Sequence, residues 1–378
     1  MSDLLSVGVV GSSFKENEQR APIHPEHLEQ IPSRLRRAMY MEQGYGERFG
    51  FTDDQISPLV AGLLPRARLF EECDVILLPK PTGGDLGFLQ EGQTLWGWPH
   101  CVQGPTITQA AIDKRLTLIA WESMHLWQGD TWQLHCFHLN NEIAGYCGVL
   151  HALQLSGLTG HYGPYRKAAV IGFGSVGRGA IHGLHALGYN DITLFTQRTG
   201  TTVRAPIPSV KHWQFQPTAQ EGAETEVLMH DGSRTPMAEA LGHFDLVINA
   251  TLQDTDKPLL FVDEHELHHL RPGTLVIDVS CDERMGFSFA RPTSFEQPTF
   301  PVGHVTYYAV DHSPSYLWNT ATYAISEALL PHLETVMKGP SAWKGSPTIQ
   351  RAIEIQDGRV LNQAILRFQE REDDYPYP

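Results

Sequence analysis

The stretch "AAVIGFGSVGRGAIHGLHALG" places Gly172, Gly174 and Gly177 in a G-x-G-x-x-G spacing, after an apolar run and at the opening of a helix-like one. The spacing suits one task, holding the pyrophosphate of a dinucleotide. Gly172 permits the tight turn, Gly174 lets backbone N–H groups approach the phosphates, and Gly177 lets helix and strand pack closely. Ser175 and Val176 begin the helix, whose N-terminus favours negative charge. Alone, the spacing is common by chance. The strand before it, the helix after it and a second apolar run ending at Gln197 make it specific. A later run, "FDLVINAT", brings Ala250 and Thr251 in as further cofactor contacts.

NAD-binding proteins usually carry an acid at the end of the second strand, about twenty residues past the glycines, to accept from the ribose 2′-OH. Here "DITLFTQRT" ends in Thr196, Gln197, Arg198 and Thr199. Hydroxyl and amide donors beside a guanidinium suit a 2′-phosphate, which a carboxylate would repel. The strand end favours NADP over NAD. Arg204 stands near enough in sequence to assist, although a solvated loop residue is the plainer reading.

Outside the fingerprint, four stretches put polar groups where apolar ones would be expected. "NEQRAPIHP" carries Arg20, "VILLPKP" Lys80, "LWGWPHC" His100 and "IDVSCDERMG" Asp282. Lys80 closes an apolar run, so its ammonium is expected at the carboxyl end of a strand, where α/β sheets bind ligands. His100 follows Trp-Gly-Trp-Pro, which should bury its ring in part. Asp282 comes just past the last strand of the dinucleotide fold. Singly, each has a bland reading, such as a hydrogen-bonded core histidine or a solvated lysine. His265-Glu266-x-x-His269 has the spacing of a zinc-binding helix. Pro272 and Gly273 cut that helix short and no third ligand is apparent, so no metal is expected. Cys101 and Cys281 read as small buried hydrophobes rather than nucleophiles.

The elements that must position these groups are α/β. "SVGVV", "RAMYME", "CDVILLPK" and "RLTLIAWE" read as strands of a mainly parallel sheet, with helix-like pieces such as "HPEHLEQI" between them. "NNEIAGYCGVLHALQLSG" reads as a bridging helix. "RKAAVIGFG", "DITLFTQ", "FDLVINAT" and "GTLVIDVS" then build a second, doubly wound domain. "YLWNTATYAISEALLPHLETVM" reads as a long amphipathic helix, and the tail "FQEREDDYPYP" as mobile or held by a partner subunit. The expected boundaries are 1–139, 140–305 and 306–378. A net charge of −15 argues against nucleic acid as a partner. No apolar run is long enough for a membrane span, "MSDLLSVGVVGSS" is a poor signal peptide, and five scattered cysteines suggest no disulfide framework. The expected compartment is the cytoplasm.

Taken in order, "EQRAPIHP", "LPKP", "GWPHCVQ", "NNEIAG", the glycine fingerprint and "IDVSCDERMG" resemble the alanine dehydrogenase/transhydrogenase family, over about residues 7 to 330. The resemblance implies two Rossmann-like domains with parallel sheets, the dinucleotide-binding one inserted into a discontinuous substrate domain. The last helix should then return to pack on residues 1–135. It also implies a homo-oligomer and roles for the four polar residues. Arg20 would pair with the carboxylate of a 2-oxo acid, and Lys80 would hold its carboxylate or carbonyl oxygen. His100 would be the general acid/base, and Asp282 would orient the amine or the nicotinamide ribose and steady an iminium. These four groups would have to face the nicotinamide, which would deliver hydride to the imine carbon.

Departures from the family pattern bear on the substrate. "PSYLWNTA" stands where alanine dehydrogenases have "PGAVPRTS", so Trp318 or Asn319 replaces an arginine, and Glu283, Arg284 and Met285 replace "QGG". With Asp311 and His312, Glu283 and Arg284 are candidates for recognising a second, amino-acid-sized substrate. Together with the NADP-leaning strand end, and with "GWPHCVQGPTITQ" and "AWESM", this resembles the N5-(carboxyethyl)ornithine synthase branch. Glu122 then becomes a candidate contact for a cationic substrate; a solvated strand-end residue is its plain alternative. The leading expectation is an NADP-dependent oxidoreductase acting on a CH–NH bond. The alternatives are an alanine or saccharopine dehydrogenase acting with NAD(P), and a dinucleotide-binding protein without catalysis, against which the four polar residues speak.

Overall fold

The computed structural model describes residues 4–199, 205–218, 224–229, 232–254 and 257–377; Arg204 lies outside them. The chain divides into two compact units, residues 1–138 with 318–378, and residues 139–317.

In the first unit, β1 (Val7–Val9), β2 (Met39–Glu42), β3 (Gly62–Leu64), β4 (Val75–Leu77), β5 (Thr94–Gly97) and β6 (Thr117–Ala120) are mutually parallel, in spatial order β3-β2-β1-β4-β5-β6. Order reverses between β1 and β4, which is where doubly wound sheets bind ligands. The inner strands are buried on both faces, which explains their unbroken aliphatic sequences. The expected helix at "HPEHLEQI" is a 3-10 helix, Pro25–Gln30, with Pro25 in its first turn. A separate hairpin, β7 (His125–Gln128) with β8 (Thr131–His135), precedes the crossing into the second unit.

That crossing is the His138–Leu155 helix, which starts two residues ahead of the expected asparagine cap. The second unit contains β9 (Ala168–Ile171), β10 (Ile192–Thr196), β11 (Val210–Pro217), β12 (Thr225–Leu228), β13 (Arg234–Pro236) and β14 (Leu246–Asn249). After these come β15 (Leu260–Val262), β16 (Leu275–Asp278), β17 (Gly286–Phe287), β18 (Thr299–Val302) and β19 (Val305–Tyr308). Its parallel strands take the order β11-β10-β9-β14-β16-β19, with β12, β13 and β18 antiparallel at the edges and β15–β17 a small pair apart. Both units therefore share one winding. The 306 boundary falls inside β19, whose ladder with β16 belongs to the second sheet, and the chain returns at Trp318.

The returning helix, Trp318–Met337, buries Ile325, Leu329, Leu333, Val336 and Met337 with Val7, Val9, Met39 and Val75 of the first sheet. Each such side chain contributes roughly 1.5–3 kcal/mol by leaving water. β20 (Ile353–Gln356) then adds antiparallel to β6, and β21 (Arg359–Val360) to β20. The tail, expected to be mobile or partner-held, is fastened within its own unit. Tyr377 is buried in the cluster that contains Cys101 and Leu366, and its carbonyl accepts from Arg371.

Candidate active site

In the second unit the turn after β9 fits its glycines closely. Gly172 has φ +96°, and a Cβ there would meet the Ala250 carbonyl oxygen at 2.7 Å. A Cβ on Gly177 would meet the Gly172 oxygen at 2.2 Å. Gly174, the residue before the Ser175–Ala186 helix, faces open space instead, with nothing within 4 Å of an added Cβ. Backbone N–H groups and an unobstructed approach at a helix N-terminus suit a pyrophosphate. Ser175 and Val176 form the first turn of that helix. The helix is itself fixed by close backbone contact with the His138–Leu155 helix. A Cβ on Gly145 would lie 1.9 Å from the Val176 oxygen, and one on Gly179 1.7 Å from the Glu142 oxygen. Ala250 and Thr251 close the other side after β14, where the Thr251 hydroxyl donates to Asn249 Oδ1 at 2.7 Å.

At the end of β10 the Thr196 hydroxyl accepts from the Arg198 amide at 3.2 Å, and Arg198 Nη2 donates to the Phe173 carbonyl at 2.8 Å. The Gln197 carbonyl accepts from Gln214. A second guanidinium, which sequence reading missed, also contacts Phe173. Arg178 lies 4.2 Å from the centre of that ring and donates to the Ala205 carbonyl. Its only sequence signal is its place directly after Gly177.

Asp282 follows β16 on a loop governed by Asp278. The Asp278 carboxylate is fully buried and accepts from Asn249 Nδ2 at 3.0 Å, from the amides of Ser280 and Cys281 at 3.0 and 3.2 Å, and from the Tyr307 hydroxyl. Burial pushes its pKa up to about 7, the Tyr307 and amide hydrogen bonds pull it back, and the Asp282 charge raises it further. Cys281, with φ +58°, turns its thiol to the Asp278 carbonyl. Arg284 has φ +57° and lines a cleft of about 280 Å³ with Pro258, Leu259, Leu260 and Ser288. Asp311 Oδ1 lies 2.5 Å from His312 Nδ1, and the His312 ring is buried edge-on to Phe295. The "HELHH" segment is a 3-10 helix, Glu264–His269, with His265 bonded to Asp263. Its geometry departs from the α-helical period that brings residues four apart onto one face. Among the described residues no cluster of three His, Cys, Asp or Glu side chains could hold a metal ion.

In the first unit Arg20, Lys80, His100 and Glu122 follow the carboxyl ends of β1, β4, β5 and β6, all parallel. Glu18, missed by sequence reading, takes the Nε and Nη2 edge of Arg20 at 2.8 and 2.5 Å, and the guanidinium lies 4.9 Å from the Trp98 ring centre. Lys80 is close enough to Glu122 for its charge to offset a little of the rise in the Glu122 pKa. His100, with φ +48°, gives its amide to Glu122 Oε1 at 2.7 Å, and its Nδ1 lies 3.7 Å from the same oxygen. The Glu122 side chain is 25% exposed with its Oε2 buried, and its carboxyl is held well above the usual carboxylate range, first by desolvation and then by the charge of Glu354. Sequence reading also missed Glu354, a buried charged residue within an apolar strand. Lys80, His100 and Glu122 are thus brought together in this unit, while Asp282, Asp311, His312 and the cofactor residues belong to the other.

Two doubly wound units, one with a glycine turn shaped for a dinucleotide and one with a lysine, histidine and glutamate at its strand ends, define a nicotinamide-dependent oxidoreductase. Residues 9–144 match the N-terminal domain of the Alanine dehydrogenase/PNT family and residues 155–363 its C-terminal domain, and the chain belongs to that family. The alanine dehydrogenase of Mycobacterium tuberculosis is 26% identical over 370 residues, covering 94% of this chain and 95% of that protein. The N(5)-(carboxyethyl)ornithine synthase of Clostridium botulinum is 25% identical over 334 residues, covering 84% and 90%. An L-alanine dehydrogenase structure superposes with a TM-score of 0.75 at 20% identity, over 97% of this chain and 99% of that one. The transhydrogenase of Sinorhizobium meliloti gives 0.70 at 18%, over 95% and 99%. The protein is an oxidoreductase of this family, acting on CH–NH or CH–NH2 groups. No helix among the described residues is long and apolar enough to cross a membrane.

Proposed function

We propose that the chain is an NADP-dependent enzyme that reduces the imine formed between a pyruvate-like 2-oxo acid and an amino group of an amino acid. The observation that carries the substrate side is Arg284. It occupies the left-handed backbone region, disfavoured for any residue with a Cβ, at a position where the family pattern has glycine. Strain of that kind persists where the side chain is needed. Its guanidinium lines a cleft of amino-acid size, which suits the carboxylate of an amine-bearing partner. A bare ammonium ion has no such requirement. Arg198, bonded to the Phe173 carbonyl, and Arg178, over the Phe173 ring, support the 2′-phosphate of NADP.

In this reading Lys80 neutralises the 2-oxo acid's carboxylate or carbonyl oxygen, and Arg20, held flat by Glu18, reads the carboxylate. His100 exchanges the proton needed to turn carbonyl into imine. Asp282 steadies the iminium, and Asp311 and His312 contact the amino-acid partner. The nicotinamide, when bound by Gly172 to Gly177 and the β10 end, supplies the hydride. None of the five cysteines forms a disulfide, which supports a reducing compartment such as the cytoplasm.

The test is NADPH oxidation by the purified protein with pyruvate, first with ammonia and then with ornithine, lysine or arginine. Turnover that needs a large amine is the expected result. Turnover with ammonia alone overturns the reading in favour of an alanine dehydrogenase activity.

A further inference from the structure

The first unit contains a pair of carboxyl groups, each with one fully buried oxygen, that the proposed chemistry leaves unused. Glu122 Oε1 is served by the His100 amide, and Glu354 Oε1 accepts from the Ser123 hydroxyl at 2.9 Å and from Asn362 Nδ2 at 3.3 Å. The second oxygen of each, Glu122 Oε2 and Glu354 Oε2, is buried without a hydrogen-bond partner. Leaving two such acceptors unserved is expensive. The two groups are neighbours: Ser123, the residue after Glu122, donates to Glu354, and the Glu354 charge raises the Glu122 pKa.

Glu354 is inside by construction. Ile353 pairs with Ile119 and Ile355 with Leu118, so two residues of β20 span one step of β6 and Glu354 is the extra one. A bulge lets three consecutive residues, Ile353, Glu354 and Ile355, all be buried, where a regular strand would turn the middle one outward. Asn362, which caps the Gln363–Phe368 helix, and Ser123 hold the carboxyl in that place.

We propose that Glu354 and Glu122 hold a single proton between their Oε2 atoms, and that Glu354 is thereby a positioning residue that fixes the charge facing His100. One shared proton serves both orphan oxygens and leaves the pair with one negative charge. The groups facing the pair are Lys80 beyond β4, His100 and Cys101 beyond β5, Ser123 beyond β6 and Asn362 beyond β21, with His135 of β8 bonded to the Glu122 carbonyl. Lys80 is the cation among them, and His100 is the one whose protonation the proposed reaction uses. Burial raises both glutamates above the usual carboxylate range, as a retained proton requires. By holding that proton, Glu354 keeps Glu122 from presenting a full negative charge 3.7 Å from the His100 ring.

The test is Glu354→Gln, which keeps the shape and can donate to Glu122 Oε2 but has no proton to share. Infrared spectroscopy of the whole protein at neutral pH should show a protonated-carboxyl band that both Glu354→Gln and Glu122→Gln lose. The His100 imidazole, assigned by NMR as the resonance missing in His100→Ala, should titrate higher in Glu354→Gln by about one pH unit, because Glu122 then carries the whole charge. The same limb of the kcat/KM profile should move while the KM for nucleotide stays. A band that persists in Glu354→Gln, or an unmoved His100 midpoint, overturns the proposal. The kinetic arm rests on the proposed imine reduction; absent turnover would count against that reading alone, since the infrared and NMR results stand without it. Should Glu354→Gln not fold, Asn362→Ala removes a hydrogen bond that lowers the Glu354 pKa, and the band should then survive to higher pH. A band lost at the same pH as in the parent would overturn the proposal.

Discussion

The two units wind their sheets identically, yet the crevices at their switch points do opposite things with the backbone. After β9 the turn is short, Gly174 faces open space and the chain enters a helix of twelve residues. After β1 the same position is occupied by the protein itself. The Gly11 amide donates to Glu42 Oε2 at 2.7 Å, Arg48 takes the Gly11 carbonyl and Arg66 takes that of Ser12. Glu42 closes β2, the strand end where a dinucleotide fold keeps its ribose acid, but here its carboxylate consumes the amide a phosphate would need. On the proposed reading the second crevice holds the cofactor and the first, with Lys80, His100 and Glu122 beyond its strand ends, holds the reacting groups, a division set by the loop after the first strand of each sheet.

The sharpest way to break that division of labour is His100→Ala. Turnover should fall roughly 10²–10⁴-fold, the usual worth of a general acid/base, while NADPH affinity measured by fluorescence titration stays unchanged. Loss of nucleotide binding would show that the two crevices are not separate in function. Next in size is a matched pair of glycine substitutions. Gly174→Ala adds a methyl where nothing stands within 4 Å, so the fold should survive while NADPH binding weakens roughly 10- to 100-fold. For Gly11→Ala the added methyl has the Tyr45 ring and the Glu42 carboxylate as its nearest neighbours, at 3.2 and 3.3 Å. It should cost about 1 kcal/mol or less of stability and leave NADPH binding alone. Equal effects on binding would erase the contrast.

Much of the second crevice was legible because a phosphate turn needs glycines at fixed spacing, and because parallel strands buried on both faces are unbroken aliphatic runs, as in Ala168–Ile171 and Leu246–Asn249. The first crevice was legible only as isolated polar residues after such runs. What made Lys80, His100 and Glu122 neighbours was the pairing of β4, β5 and β6, and β5, only four residues long, gave little periodic signal of its own. Glu354 was invisible for a physical reason. A bulge is a property of two paired strands, and β6 lies more than two hundred residues upstream of β20. Arg178 and Glu18 act through contacts with Phe173 and Arg20 that no spacing encodes. The edge strands β12, β13 and β18 are partly exposed, so their apolar content is diluted below what a sequence pattern can carry.

A smaller effect sharpens the cofactor side of the comparison. If the guanidinium at the β10 end recognises a 2′-phosphate, Arg198→Ala should lower the preference for NADPH over NADH about tenfold, mostly through the KM for NADPH. It should leave the KM for the 2-oxo acid unmoved if, as proposed, that substrate is read from the first unit. An unchanged preference would shift the recognition to Arg178 or to a cofactor without the phosphate.

The last predicted effect concerns stability rather than binding, at the buried anchor of the Asp282 loop. Tyr307→Phe removes the hydroxyl that donates to Asp278 Oδ2 and should cost about 1–3 kcal/mol of stability. The pH dependence has a definite sign. Asp278 has a folded-state pKa raised to about 7 against an ordinary 3.8, so between those values the folded state holds a proton that the unfolded state has released. Stability must therefore fall as pH rises through that window and level off above it. The Tyr307 hydroxyl pulls the value down, so its loss pushes the window higher, and the penalty of Tyr307→Phe should be larger at pH 8 than at pH 5. Urea unfolding of parent and variant at both pH values measures it, and Asp278→Asn in the same background should abolish the difference. In the first crevice the strand ends are fixed by backbone hydrogen bonds such as Leu78 to Trp96 and Trp98 to Pro79, together with the Glu122 carboxylate on the His100 amide. A penalty independent of pH would mean that Asp278 stays ionised throughout, and that the loop rests on its amide contacts alone.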